Sequence, residues 1–508
     1  MGQSPLDHTI WIWLALGAYA LFILYFAIRG GMNTKSMQDY ASGTFQFSPL
    51  AVGLSLAAGM TSAATFIINP GFVAYFGISG FLSMGVFLPA GAMVSLVVFS
   101  KKFRKIGAGL QARTIAQWMS TRYQHKNLGL YFAFLSLLLI TFIVLICVGL
   151  TQIISKAIQI EPLYVLIGIV VFTFGYMMFG GANSMVYTNM IQAILMLIVA
   201  IFLLTSGYEH FANGVFGFID QLKNIDPELV KPINSSSPLF RDWFEVMFCQ
   251  LIVGVAIVCQ PHIITRVLLL RKDSDVNKYL TIGVIVQTLF FLVVFAGLYA
   301  RILFPNLIQN GKPIALDAVM SSYVIAHFPV YVSILLVLGM ISAGISTLEG
   351  LIQALSTTFT LDITPRLFPS LNIDGKTGLI LNRSVIVVLA VVSFILSYQQ
   401  IIAPDLSVGI FAQNGVYAYF SAAFVPVLFG IYFTNAHGNT VFIASIIAVI
   451  VHFSIYYGRI SSYMESGTRN PGIAAASAIL ISLIVGLGIH FLHIQSKTKL
   501  SSKIANEI

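Results

Sequence analysis

The stretch Ser55-Leu56-Ala57-Ala58-Gly59-Met60-Thr61-Ser62-Ala63-Ala64-Thr65, followed by Asn69-Pro70-Gly71, lies inside an apolar run at about residues 48–73. A helix crossing hydrocarbon needs about 20 apolar residues. Its backbone polar groups must also be satisfied internally. Small residues, hydroxyls and an Asn-Pro-Gly step in such a run predict a helix interrupted at membrane depth, which is tolerated where it lines a cavity. A second run, about 243–270, carries Gly254 and then Cys259-Gln260-Pro261-His262, and predicts a second interruption.

The rest of the chain fits a membrane setting. Of 508 residues, 58% are hydrophobic and 9% charged, where an ordinary soluble domain is about a quarter charged. That composition supplies no charged skin, which excludes a soluble enzyme, a DNA-binding protein and a disordered chain. Thirteen apolar runs are long enough to span: about 10–28, 48–73, 80–100, 129–155, 163–180, 184–206, 243–270, 279–304, 329–360, 380–398, 406–433, 439–457 and 472–493. The first follows a segment without Lys or Arg and has no small-residue cleavage site after it, so it is read as a retained span.

Each interrupted run heads a block of five spans, two to six and seven to eleven. Because five is odd, the two blocks have opposite orientations, the arithmetic of an inverted-repeat secondary transporter. The expected fold is therefore an all-α integral membrane protein of about thirteen transmembrane helices, with a five-plus-five inverted-repeat core and a broken first helix in each repeat. Residues 1–47 form an extra N-terminal helix and cytoplasmic loop, 48–206 the first repeat, and 207–242 an extracellular loop. Residues 243–433 form the second repeat, and 434–508 two C-terminal helices and a cytoplasmic tail.

The net charge of +9 is a topology signal and implies no nucleic acid. With the N-terminus outside, 19 of the 27 Lys and Arg residues fall in cytoplasmic segments, among them seven between Lys101 and Lys126, the group Arg266, Arg271, Lys272 and Lys278, and Lys497, Lys499 and Lys503. This places the C-terminus in the cytoplasm of a cell (inner) membrane protein. The acidic loop at about 207–242 reads as a lid or a solvated linker. Cys147, Cys249 and Cys259 lie in apolar segments and offer neither a disulfide framework nor a metal knuckle. Gly375-Lys376-Thr377 imitates the end of a P-loop, but Ser370 stands where its upstream glycine belongs. With no His-Glu-x-x-His and no Gly-x-Ser-x-Gly either, nothing points to an enzyme.

The ninth span reads Gly339-Met340-Ile341-Ser342-Ala343-Gly344-Ile345-Ser346-Thr347-Leu348-Glu349-Gly350. Ala343, Ser346 and Thr347 stand at i, i+3 and i+4 and share one helix face. A small hard cation wants several oxygens and no bulky side chain in the way. Two hydroxyls, the approachable carbonyl of Ala343, and carbonyls of Ala58 and Thr61 in the unwound part of span two would supply them. The alternative is that Ser346 and Thr347 bond back to their own helix and that the small residues permit close packing.

At these residues the chain resembles the sodium/solute symporter family, over roughly residues 10–460. The resemblance is carried by the Ala-Gly-Met-Thr-Ser-Ala-Ala-Thr stretch, Phe179-Gly180-Gly181 with Tyr187-Thr188-Asn189 and Gln192, Gln260-Pro261-His262 with Arg266, and Ala343 with Ser346-Thr347. It implies a secondary active transporter that moves a small organic solute with Na+ across a lipid bilayer by alternating access. The family's sodium site would fall on Ala58, Thr61, Ala343, Ser346 and Thr347, and its solute pocket would include Ser62 and Thr65. Gln250 and Gln413 join that pocket as polar groups in otherwise apolar spans; interhelical hydrogen bonds are the alternative for both.

The chain departs from the family at one place. Many members have an aspartate where this chain has Asn189, and members with a second sodium use it together with hydroxyls at the positions of Glu349 and Gly350. An ionisable residue inside a span is costly and a functional candidate. Glu349 with Asn189 would ligate a second cation or carry a proton; alternatively Glu349 is a carboxylate near the cytoplasmic end, paired with a basic loop residue or hydrated by a vestibule. His262 and Arg266 read as an interfacial anchor, or as a gate contact. Within the family the sodium/pantothenate type looks nearest, on Ile225-Asp226-Pro227-Glu228-Leu229-Val230 and on Pro261-His262 through Lys272-Asp273-Ser274. A monocarboxylate such as pantothenate is the favoured solute and proline the alternative. A solute-sensing membrane domain working with a separate signalling partner is an alternative of another class.

Overall fold

The computed structural model describes residues 5–44, 47–110, 112–270, 272–371, 373, 375–403, 407–465 and 468–506. Arg271, one of the basic residues used for topology, lies outside them. Among the described residues ten helices are long and apolar enough to cross a membrane: Ile10–Met32, Ile78–Gly107, Lys126–Ile158, Pro162–Thr205, Asp275–Leu303, Val330–Leu367, Gly375–Ile402, Val408–Tyr432, Gly438–Gly458 and Pro471–Gln495. Two further pairs are bent, Pro49–Met60 with Ala64–Phe76 by 53° and Phe244–Ile257 with Pro261–Leu269 by 59°.

The two bends fall where the sequence interrupts its helices. In span two, Thr61 leaves the helix at φ −98°, ψ 100°. The Ser62 hydroxyl then accepts from the Ala64 N–H at 3.1 Å and restarts the chain. A wide turn over Ala64–Ile68 follows, and Pro70 sits in the first turn of Asn69–Phe76, where its missing N–H costs nothing. In span seven, Gln260 is extended (φ −67°, ψ 139°) and Pro261 opens the next helical turn, as expected of the residue before a proline. Gly254 is no part of the break. It lies within Gln250–Ile257, where an added Cβ would strike the Leu88 carbonyl of span three, so it marks close packing of two helices.

Pro162–Thr205 has 44 residues, about 66 Å if straight, twice the ~30 Å hydrocarbon thickness. Gly181, at φ 57°, ψ −155°, interrupts it. The chain reverses there: Tyr176 and Thr188 both donate to the carboxylate of Glu349, although twelve residues of continuous helix would separate them by about 18 Å. The Phe179-Gly180-Gly181 turn thus joins spans five and six.

Segments outside the spans are more ordered than the expected linker. Gly214–Ile225 is an amphipathic helix whose Phe218 and Leu222 are buried, and Leu229 lies against Gly77. Ile115–Arg122, capped by Thr114, and Val319–His327 are helices that hydropathy did not signal. A two-residue hairpin pairs Ile308–Gln309 with Lys312–Pro313. At the centre, span nine (Val330–Thr358) packs against spans five and six and against the first half of span two, Pro49–Met60, which brings the hydroxyl face to the break. The three cysteines are buried and unpaired.

Candidate functional site

The break in span two frees carbonyl groups that a continuous helix would have used. Span nine meets two of them. Ser346 Oγ donates to the carbonyl of Ala58 at 2.9 Å, and Thr347 Oγ1 to that of Gly59 at 3.1 Å. Both hydroxyls also reach the carbonyl of Ala343, at 3.1 and 3.4 Å. Five oxygens from two helices therefore form one connected cluster, all from residues buried from solvent. Thr61 stands beside them, and its buried hydroxyl has no hydrogen-bond partner among the described residues. The expected face made of Ala343, Ser346 and Thr347 thus adjoins the segment Ala58–Thr61. Gly59 was not singled out in the sequence; a carbonyl leaves no side-chain signature, and only the helix crossing identifies it.

A neutral set of hydroxyl and carbonyl oxygens, with no carboxylate in the cluster, suits a singly charged hard cation better than a divalent one. The hydroxyls hold their own protons toward carbonyls here. Rotating about their C–O bonds would offer lone pairs to a cation within the cluster.

Beside this cluster runs a buried polar seam. Glu349 Oε1 accepts from the Tyr176 hydroxyl at 2.5 Å and Oε2 from the Thr188 hydroxyl at 2.7 Å. The Asn189 amide satisfies both its neighbours when Nδ2 donates to Glu349 Oε2 (3.0 Å) and Gln192 Oε1 (2.9 Å) and Oδ1 accepts from Arg266 Nη1 and Nη2 (3.1 Å each). Arg266 Nε donates to the His262 carbonyl at 2.9 Å, and Nη1 to the carbonyl and hydroxyl of Ser55. The seam continues through Gln192 to Tyr19 of the first span, whose hydroxyl also accepts from Ser342.

This placement corrects one expectation. Arg266 and His262 are 3% and 4% exposed and form no interfacial anchor. The 59° bend at Gln260-Pro261 turns the second half of span seven, Pro261–Leu269, into the protein, between spans two and nine. Among the described residues Glu349 has no basic loop partner either, and its three donors come from spans five and six.

On the other side of the break, Ser62, Thr65, Gln260 and Gln413 line a cavity of about 80 Å³ walled by aromatics such as Phe142 and Tyr417. Gln250 is not brought there. It precedes the break in span seven by ten residues, about 15 Å of helix, and its amide faces Gly472 of the last span. A larger vestibule of about 340 Å³, lined by Gln38, Arg113, His262, Arg266, Gln353 and Thr357 among others, reaches the break from the side expected to be cytoplasmic. Pro261 stands between the two spaces. On the opposite side, the Tyr75 hydroxyl donates to the Ile314 carbonyl at 2.6 Å. Asp317 there accepts from the Ser407 hydroxyl (2.6 Å) and the Val408 N–H (3.0 Å). Burial raises the Asp317 carboxyl above the usual carboxylate range, against the pull of those two hydrogen bonds.

Helices broken at a shared polar centre and packed on an unbroken partner define a membrane transporter of the ion-coupled class. The family model described as the sodium:solute symporter family matches residues 40–448, and the chain belongs to that family. It is 25% identical over 448 residues to the sodium/pantothenate symporter of Haemophilus influenzae, covering 85% of this chain and 86% of that one. To the sodium/pantothenate symporter of Escherichia coli it is 28% identical over 309 residues, 58% of this chain; the match spans about three fifths (61%) of that relative's length. Human sodium/myo-inositol cotransporter 2 is 23% identical over 429 residues, 77% of this chain and 62% of the relative. Among solved structures, a Na+-coupled sialic acid symporter in a substrate-bound, outward-open state superposes with a TM-score of 0.73, at 16% identity, over 94% of this chain and 97% of that one. The fold is that of a multi-pass helical transporter, and the function is sodium-coupled solute symport, not enzymatic catalysis.

Proposed function

We propose that the protein takes up a small monocarboxylate, with pantothenate favoured, driven by a sodium ion bound at Ala58, Thr61, Ala343, Ser346 and Thr347, with the Gly59 carbonyl as a further ligand. The observation that carries the ion site is the meeting of the Ser346 and Thr347 hydroxyls with the freed carbonyls of Ala58 and Gly59. Pantothenate is supported by two sodium/pantothenate symporters among the relatives and by a cavity whose polar groups are neutral donors, Ser62, Thr65, Gln260 and Gln413. Those groups suit a solute with hydroxyl, amide and carboxylate oxygens. The protein sits in the cell (inner) membrane with its N-terminus outside and its C-terminus in the cytoplasm, in thirteen spans with a five-plus-five inverted repeat. The paired breaks, the reversal at Gly181 and the distribution of Lys and Arg support that arrangement.

Sodium ties span nine to the inner half of span two, replacing two hydroxyl–carbonyl hydrogen bonds by ion contacts. It thereby fixes the angle at Thr61, and with it the positions of Ser62 and Thr65 next along the chain. A solute and an ion that bind the same broken segment each lower the cost of ordering it for the other, which is the coupling. One positive charge moving inward through 100 mV supplies about 2.3 kcal/mol. A tenfold sodium ratio adds about 1.4 kcal/mol. Together they would concentrate a neutral solute several hundredfold; with a monocarboxylate the step is electroneutral, and the sodium ratio alone drives about tenfold accumulation.

Uptake of labelled pantothenate, proline and a panel of other monocarboxylates and amino acids into proteoliposomes, with and without an imposed sodium gradient, tests the reading. Sodium-dependent accumulation of pantothenate is expected. Uptake that follows solute down its gradient regardless of sodium overturns the coupling, and selective accumulation of proline replaces the solute.

A further inference from the structure

Glu349 is wholly buried in mid-span and Arg266 is 3% exposed. Isolated charges in such a setting are strongly disfavoured and must be compensated. Neither forms an ion pair within 4 Å among the described residues. One amide joins them, for Asn189 donates to Glu349 through Nδ2 and accepts from both Arg266 Nη atoms through Oδ1. The guanidinium is held at its remaining edges by the His262 carbonyl and by Ser55. It occupies a niche between two glycines. An added Cβ at Gly350, the residue after Glu349, would lie 3.0 Å from Arg266 Nη2, and one at Gly59 would strike the same atom.

From this geometry we infer that Arg266 is the fixed counter-cation of Glu349 and takes the place of a second mobile cation, so that the protein binds a single sodium ion. The inference deepens the sodium-symport reading and rests on it. Three donors from spans five and six already saturate most of the carboxylate's acceptor sites. The positive charge that balances it is covalently part of span seven, on the face that also touches Ser55 of span two. Arg266 is therefore a positioning residue: it contributes charge and holds the two broken helices together, and touches no solute in the cavity beyond Pro261.

Equilibrium binding of radiolabelled sodium alone to the purified full-length protein separates the alternatives. Wild type is expected to bind one sodium per chain, Thr347→Ala to bind that ion at least tenfold more weakly, and Glu349→Gln, whose stranded Arg266 charge lowers its stability, to bind no more than one. Two sodium ions on wild type, or a sodium bound to Thr347→Ala with wild-type affinity, overturns the inference and leaves the symport reading intact. No sodium on wild type overturns both. Arg266→Gln strands the Glu349 charge, and sodium affinity is expected to fall at least tenfold or the protein to lose its fold. The double variant Arg266→Gln with Glu349→Gln, which removes both charges, is expected to restore folding and single-site binding. A double variant no better than Arg266→Gln shows that the two charges do not compensate each other, and the inference falls.

Discussion

The hydroxyl of Thr347 donates to the carbonyl of Gly59 at 3.1 Å, across 288 residues of sequence. One residue earlier on each helix the contact is repeated, Ser346 to Ala58. An intact helix would have no free carbonyl at either position. The pair therefore reports two things together, that span two is broken there and that span nine is set in register with the break. A cation at the proposed site would replace both contacts, which would couple the ion energetically to the crossing of the helices.

Thr347→Ala and Ser346→Ala each remove one oxygen and leave a buried carbonyl without its donor. Losing such a partner costs about 1–3 kcal/mol, and about 1.4 kcal/mol is a factor of ten in binding. The sodium concentration for half-maximal uptake is expected to rise about tenfold or more, with a smaller effect on maximal rate. Thr347→Ser keeps the oxygen and is expected to stay near wild type. Sodium titration of solute uptake checks all three.

Gly350→Ala places a methyl group 3.0 Å from Arg266 Nη2, and that guanidinium cannot retreat without giving up Ser55, His262 or Asn189. Overpacking of this kind costs about 1–3 kcal/mol. A lowered melting temperature in detergent is expected. Gly488→Ala in the last span meets open space and gains helix propensity, so it is expected to melt no lower than wild type.

Gln413 and Gln250 were both selected from the sequence as polar groups in apolar spans, but only Gln413 lines the cavity. Gln413→Ala is expected to raise the KM for pantothenate about tenfold, the loss of roughly one hydrogen bond. Gln250→Ala should leave KM within about twofold, since its neighbour is Gly472 of the last span. Initial-rate uptake at saturating sodium distinguishes them.

Asp317 joins the segment before Val319–His327 to the start of span eleven through Ser407 and Val408. Burial, the largest influence on it, raises its carboxyl from the usual value, with the two hydrogen bonds opposing. The folded state thus holds this proton more tightly than the unfolded chain, whose Asp titrates near about 3.9. Its contribution to stability is present below that value and declines as pH rises through the raised one. The melting temperature of wild type relative to Asp317→Asn is therefore expected to fall with increasing pH over that interval and to level off above it. A difference that is flat with pH, or that grows, contradicts the burial assignment.

The composition settles the solvent of this chain: with 9% charged residues no soluble surface can be built. The Gln260-Pro261 step fixes where one helix cannot continue, because proline lacks a donor and constrains its predecessor. In span two the Asn69-Pro70-Gly71 step lies within the continuing second half, and the break falls earlier, between Met60 and Ala64. The i, i+3, i+4 spacing of Ala343, Ser346 and Thr347 puts them on one face whatever surrounds the helix. Those are local or compositional properties and can be read from one strand of text. Which carbonyls that face meets depends on a crossing between residues 288 positions apart, so Gly59 could not be named in advance. The same holds for Gln250, polar and mid-span like Gln413 but directed at another helix, and for Arg266, whose charge suggests an interface until the bend at Pro261 carries it inward to Asn189. A side chain's type is set by its position in the chain, whereas its partner is set by helix directions after a break, and those come only from packing.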